Sequence, residues 1–332
     1  MNMDKVLSFG EILIRLQSEQ TVFFDKGKNT LKIFAGGSEA NVAVALAQMG
    51  IPAKFVTAIP KDNPLAAQAL QEIEKHKVDT SHTLLRGDRI GTYYLQSKNG
   101  LTKGEVIYDR AFSSFSKLTA ADIDRDRLFD NVRWFHWTAL TPGLNPEMVL
   151  LIQELIKEAK RRDIPISVDL NYRSKLWKYG KKPHEILPQL VQDCDVIMGN
   201  IWASHTFLQS PISSGLTRET SKETYFEKAG QTAKYIFENY PKCKHIANTF
   251  RFMDNESHNL LYGTYHTHTG DYISKVHETH KLIDRIGSGD AFMAGLIQAI
   301  LKGKDEQTIV EEATQSGFDK LFIEGDFGVT NK

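Results

Sequence analysis

Cysteine is nearly missing from this chain: Cys194 and Cys243 are the two it has in 332 residues. Two distant thiols exclude a disulfide framework, and they lack the paired spacing of a metal site. They read as reduced core thiols in a reducing compartment, the cytoplasm. Net charge is missing as well. Forty-one Lys and Arg stand against forty-one Asp and Glu, so no global field draws nucleic acid or an anionic membrane, and any anion is held by local groups. No run approaches ~20 consecutive apolar residues, which excludes a transmembrane helix. The opening MNMDKVLSFGEIL carries one Lys and breaks its apolar run at Gly10-Glu11, unlike a signal peptide. Internal repeats, low-complexity tracts and linkers are also wanting.

What is present is the composition of a water-soluble, enzyme-sized globule, 41% apolar and 25% charged, long enough for one large domain over 1–332 with an appendage. Apolar runs of strand length alternate with helical patterns, the mark of βαβ units and a parallel sheet. Strands are expected at 6–10, 53–58, 133–140, 165–170 and 195–198. Helices are expected at 41–49 before Gly50, from Pro64 through His76, at 147–161 behind an Asn145-Pro146 cap, and at 227–239. Two segments, 11–35 and 89–110, break this rhythm. In the second, Thr92-Tyr93-Tyr94-Leu95 and Glu105-Val106-Ile107-Tyr108 flank Asn99-Gly100 and Gly104, which predicts short antiparallel strands in a small projecting sheet.

The most informative stretch is LIDRIGSGDAFMAGLIQAILKG, in which a strand-like run ends at Asp284 and Gly287-Ser288-Gly289-Asp290 leads into an apolar helix beginning near Ala291. Glycines let backbone N–H groups approach a ligand, and a helix N-terminus attracts an anion such as phosphate. Asp290 is placed to act as a base there, or to serve merely as the helix cap. DRIGSGDAFMAG, 284–295, resembles the signature of ribokinase-like (PfkB-type) carbohydrate kinases, with Arg285 and Ser288 as mild departures. The resemblance implies an anion hole at Gly287, Ser288 and Gly289 for the transferred phosphoryl group, Asp290 as catalytic base, and ATP with Mg2+ as cofactors. AGGSEANVAVALAQMG, 35–50, is similar to the family's sugar-holding glycine pair and helix, which makes Gly37 and Asn41 substrate contacts.

The similarity is greatest to the kinases of 2-keto-3-deoxygluconate and extends over almost the whole chain. Tyr108-Asp109-Arg110 looks like their Tyr-x-Arg lid motif, Tyr94 like a further lid tyrosine, and Arg110 like a fork for the sugar carboxylate. Asp169-Leu170-Asn171-Tyr172-Arg173 resembles their Asp-x-Asn-Tyr-Arg run, which puts Arg173 between substrate and ATP. Gly325-Asp326-Phe327 implies a substrate contact at Asp326. A ribokinase-like α/β fold follows, with a β lid over about 11–35 and 88–118 through which a homodimer forms.

Two departures stand out. The family's Asn-x-x-Glu, which organises magnesium, is here Asn200 followed by Ala203, so no metal ligand is assigned. The glycine-containing nucleotide loop is replaced by Asn248-Thr249-Phe250-Arg251-Phe252, leaving Asn200, Asn248, Arg251, Gly287 and Gly289 as the ATP contacts. Alternatives are a kinase of a neutral sugar such as fructose or ribose, and a non-catalytic sugar or nucleotide sensor. Eleven His, among them His266, His268, His277 and His280, show no metal-binding pattern and are expected in a polar strand region.

Overall fold

The computed structural model describes residues 4–18, 23–24, 30–96 and 105–328. In chain order the strands and helices are β1 (Lys5–Phe9), β2 (Leu13–Ser18), β3 (Leu31–Gly36), α1 (Ser38–Gln48), β4 (Ala53–Val56), β5 (Ala58–Ile59), α2 (Pro64–Glu74), β6 (Leu84–Leu85), β7 (Gly91–Gln96), β8 (Glu105–Asp109), α3 (Arg125–Leu128) and β9 (Val132–Thr138). There follow α4 (Pro146–Arg161), β10 (Ile166–Asp169), α5 (Pro183–Val191), β11 (Val196–Met198), α6 (Ile201–Leu208), α7 (Lys222–Asn239), β12 (His245–Phe252), β13 (Asn259–His266), β14 (Asp271–Ile273), β15 (His277–Thr279), α8 (Ser288–Leu301) and α9 (Glu306–Asp319).

The main sheet runs β14-β13-β12-β11-β10-β9-β1-β4, with β15 beside β13. From β4 to β12 every pairing is parallel, as near-continuous apolar strands buried on both faces require. The expected alternation ends there, because β13, β14 and β15 pair antiparallel. Local chemistry explains the helix boundaries. Asn145 accepts from the Met148 N–H at 3.0 Å and Pro146 occupies the first turn of α4, a good start for a helix. Its apolar stripe, Met148, Leu151, Ile152, Leu155, Ile156 and Ala159, is buried. Helix α8 is buried almost all round and packs between α1 and α9.

The order puts β4 on one side of β1 and β9 on the other. The order in which strands are added therefore reverses at β1, and open α/β sheets bind ligands beyond the strand ends at such a point. The projecting sheet is real, with order β3-β2-β7-β8. Strands β7 and β8 pair antiparallel as expected, but β2 lies parallel to β7, since the chain crosses the main domain between them. The expected turn at Asn99-Gly100 and Gly104 lies outside the described residues. The small sheet stops at Asp109, short of the expected 118, because Phe115 and Leu118 join the main core, Phe115 against Phe9.

Candidate active site

A cleft of about 370 Å3 opens between the small sheet and the strand ends. Its floor is the start of α8. Gly287 takes φ +82° as the residue before the helix, and a Cβ there would stand 2.3 Å from the Asp326 carbonyl, so only glycine fits. The structure corrects two expectations here. Residues 281–286 are irregular rather than strand, β15 having ended at Thr279, and α8 begins at Ser288 rather than near Ala291. Asp290 is therefore no cap: it lies inside the first turn, with its carboxylate held over the cleft. Ser38 donates to one oxygen at 2.5 Å and Asn41 Nδ2 to the other at 2.7 Å. Burial raises the Asp290 pKa, against these two bonds and the nearby charge of Arg173.

The two glycine motifs thus meet through Asp290. Gly37 precedes α1 at φ +132°, and a Cβ there would strike the Glu11 carbonyl at 2.2 Å. Asn41 keeps a buried Oδ1 without a hydrogen-bond partner, a ready acceptor for a ligand hydroxyl. Arg173, in the loop that follows β10, is exposed to the cleft. Asp169, one strand end away from Asn200, also faces it, with Oδ1 accepting from the Asn171 N–H at 3.0 Å. Its pKa is pushed up to about 7 by burial and by the neighbouring charge of Asp290.

Other expected residues are placed differently. Tyr94 does not face the cleft; Tyr93 and Tyr108 do. Successive strand residues point to opposite faces, so a one-residue difference moves the side chain across the sheet. Tyr93 donates to Asp326 at 2.9 Å, while Tyr94 packs edge-on against Phe23. Arg110 reaches the cleft, but Nε and Nη2 clasp Glu11 at 2.7 and 2.5 Å in a buried pair, so its fork is largely taken. Asn248 is fully buried, donating to the Gly199 carbonyl at 2.7 Å and accepting from Thr264 at 3.3 Å. It ties β11, β12 and β13 together and does not face the cleft, whereas Thr249, Arg251 and Arg285 do. Asn200 lines the cleft, yet its Oδ1 caps α6 by accepting from the Ala203 N–H at 2.8 Å.

Several residues that build the site gave no local signal. Arg15, fully buried on β2, donates to Asp284 at 2.8 Å. Its Nε stands 2.8 Å from Asp326, an ion pair not aligned as a hydrogen bond. Glu39, in the first turn of α1, is buried and accepts from Thr138 at 2.6 Å and Thr141 at 3.3 Å. Burial pushes its pKa up to about 7, against the Thr138 bond. Arg285 donates to the carbonyls of Asn255, Glu256 and His258, anchoring the β12–β13 turn to the glycine loop. Of the histidines, His266 and His277 lie in strands as expected. Folding also brings His280 beside His258 and Glu278, with ligand atoms within 4.8 Å of one another, a grouping that spacing does not reveal. Tyr93 was within reach of strand alternation; the buried charges were not.

Comparison with known proteins agrees with this geometry. The model of the family described as pfkB family carbohydrate kinase matches residues 3–233. A crystal structure described as 2-dehydro-3-deoxygluconokinase from Thermotoga maritima superposes with a TM-score of 0.87 at 31% identity, covering 98% of this chain and 95% of the other. A PfkB family carbohydrate kinase from Listeria grayi gives 0.84 at 31% identity, over 98% and 96%. The 2-dehydro-3-deoxygalactonokinase of Haloferax volcanii is 24% identical over 98% of this chain and 93% of its own length.

Proposed function

Because the chain belongs to the pfkB family of carbohydrate kinases, we propose that it transfers the γ-phosphoryl group of ATP to a hydroxyl of a sugar acid, 2-keto-3-deoxygluconate, giving 2-keto-3-deoxy-6-phosphogluconate. The observation that carries this is Asp290: a buried carboxylate over the cleft, fixed by Ser38 and Asn41, beside a glycine loop at a helix N-terminus.

Phosphoryl transfer asks a protein mainly for position and charge. Asp290 accepts the proton of the attacking hydroxyl, and the freed oxygen bonds to the γ-phosphorus as the bond to the ADP oxygen breaks. The N-terminus of α8, with the Gly287–Gly289 loop, receives the negative charge of the moving group. Arg173 draws the same group from across the cleft. Asn41 Oδ1 and Gly37 orient the sugar under Tyr93 and Tyr108. Arg251 and Thr249 face the nucleotide side. The carboxylate of Asp169 fits a hard cation, and with the ATP phosphates it would hold Mg2+ where Ala203 offers nothing. Mg2+ held there would neutralise phosphate charge.

The names of the Thermotoga and Haloferax relatives support an acidic substrate, and so does Arg173, exposed on the cleft wall. The clasp of Glu11 on Arg110 favours a second reading, a kinase of a neutral sugar. ADP release with Mg-ATP and a panel of ketodeoxygluconate, ketodeoxygalactonate, fructose and ribose separates the two. Turnover on the acids, weakened in Arg110→Ala, is expected. Turnover on a neutral sugar alone replaces the acid reading, and melting shifts without ADP release point to a sensor.

The lid also supports a homodimer. Cross-strand register aligns Ile33, Leu16, Tyr94 and Ile107 in one row across all four strands on the face away from the cleft, and Ile33 and Ile107 are 58% and 42% exposed. A second lid would cover that row. Both cysteines are free and buried, in keeping with a reducing cytoplasm.

A further inference from the structure

We infer that Lys320 is a tethered cation built under the phosphate-binding loop, a positioning residue that keeps the loop receptive to phosphate without a bound monovalent metal ion. Lys320 follows α9 and is 1% exposed. It does not line the cleft. Its Cε would lie 3.3 Å from a Cβ at Gly287 and its Cδ 3.4 Å from one at Gly328, so its stem runs directly behind the glycine loop. Nζ donates to the Ile323 carbonyl at 2.9 Å.

The charges around it say why a cation belongs there. Arg15 on β2 is the partner of both Asp284 and Asp326, which alone would leave one excess negative charge behind a loop that must accept phosphate. The charges of Asp284 and Asp326 act on Lys320, as do those of Arg15 and, from α8, Asp290. With Lys320 charged, Asp284 and Asp326 are balanced by two cations, and Asp290 is left as the acid that handles the proton. A buried carboxylate pair facing one arginine would otherwise need a cation from solvent. Burial lowers the Lys320 pKa to about 8, against the pull of Asp284 and Asp326, so the support is present at neutral pH and lost as pH rises past that value.

The inference rests on the kinase reading for its catalytic part, so the experiment reads ATP binding as well as turnover. Calorimetric ATP affinity and kcat are measured for the wild type and Lys320→Met in chloride salts of tetramethylammonium, sodium, potassium and ammonium. The wild type is expected to be indifferent to the salt and to show an alkaline limb near pH 8. In Lys320→Met, kcat is expected to fall about a hundredfold and ATP affinity about tenfold, with little change in sugar KM, and potassium or ammonium should restore part of both. A wild type that needs potassium, a variant with unchanged constants, or a loss that no cation answers overturns the inference. Should Lys320→Met not fold, the salt series and alkaline limb of the wild type decide. A wild type that binds ATP but phosphorylates no sugar sinks the kinase reading alone, since the binding arm still tests Lys320.

Discussion

At the scale of single residues, the site turns on carboxylates whose neighbours differ. Asp290 is reached by two side-chain donors and faces the cleft. Asn in its place keeps one acceptor and the shape but cannot take a proton. Asp290→Asn is expected to lower kcat by about 10³, within the range of general-base loss, with the melting temperature held or raised because a buried charge is gone. A steady-state assay beside a thermal melt checks this, and turnover near the wild-type rate would remove Asp290 from the base role. Glu39 is buried with two hydroxyl donors and, among the described residues, no salt-bridge partner, with the charge of nearby Arg110 opposing its burial. Its pKa is raised to about 7 from 4.5, so the unfolded chain ionises first as pH rises. Stability is therefore lost between about pH 4.5 and 7 and stays low above. Glu39→Gln should remove that loss, on the order of 3 kcal/mol at pH 8 and about 1 kcal/mol at pH 5. Urea unfolding at pH 5 and pH 8 reads the difference, and a variant weaker at pH 8 refutes it.

At the scale of elements, the small sheet is fastened to the glycine loop by charge. Arg15 leaves β2 to meet Asp284 and Asp326, with its guanidinium 4.3 Å from the Phe34 ring centroid, and Tyr93 from β7 joins the same Asp326. Arg15→Met strips a partner from two buried carboxylates, a change that costs about 3–5 kcal/mol. Denaturant midpoints are expected to fall accordingly, with partial recovery when Asp284→Asn is added. A midpoint within error of the wild type would mean that the ties are idle. The same geometry separates adjacent tyrosines. Tyr93→Phe, which removes the bond to Asp326, is expected to raise the sugar KM about tenfold or more, the worth of one hydrogen bond to a charged group, while Tyr94→Phe leaves it alone. Equal effects on KM would contradict the assigned faces.

At the scale of the whole molecule, the outer row of the lid predicts association. Ile33→Asp with Ile107→Asp places charges in that row and is expected to convert a dimer to monomers by light scattering. A wild type that is monomeric at micromolar concentration refutes the lid interface.

The alternation of apolar strands and amphipathic helices, the glycine loop leading into α8 with Asp290 at its end, and the second glycine motif before α1 were all legible along the chain. Those features are local: side-chain periodicity, caps and glycine backbone freedom act over a few residues, so they can be read along the chain. Only the tertiary structure decided what stands behind and beside them. Arg15 finds Asp284 across 269 positions and Arg110 finds Glu11 across 99, and nothing near either arginine announces the partner. Asn248 turns into the sheet because β13 returns antiparallel and offers Thr264. Lys320, an ordinary lysine in the sequence, is buried because α9 ends behind the glycine loop. Burial and partner choice arise from how distant segments stack, and charge acquires its chemical meaning only there.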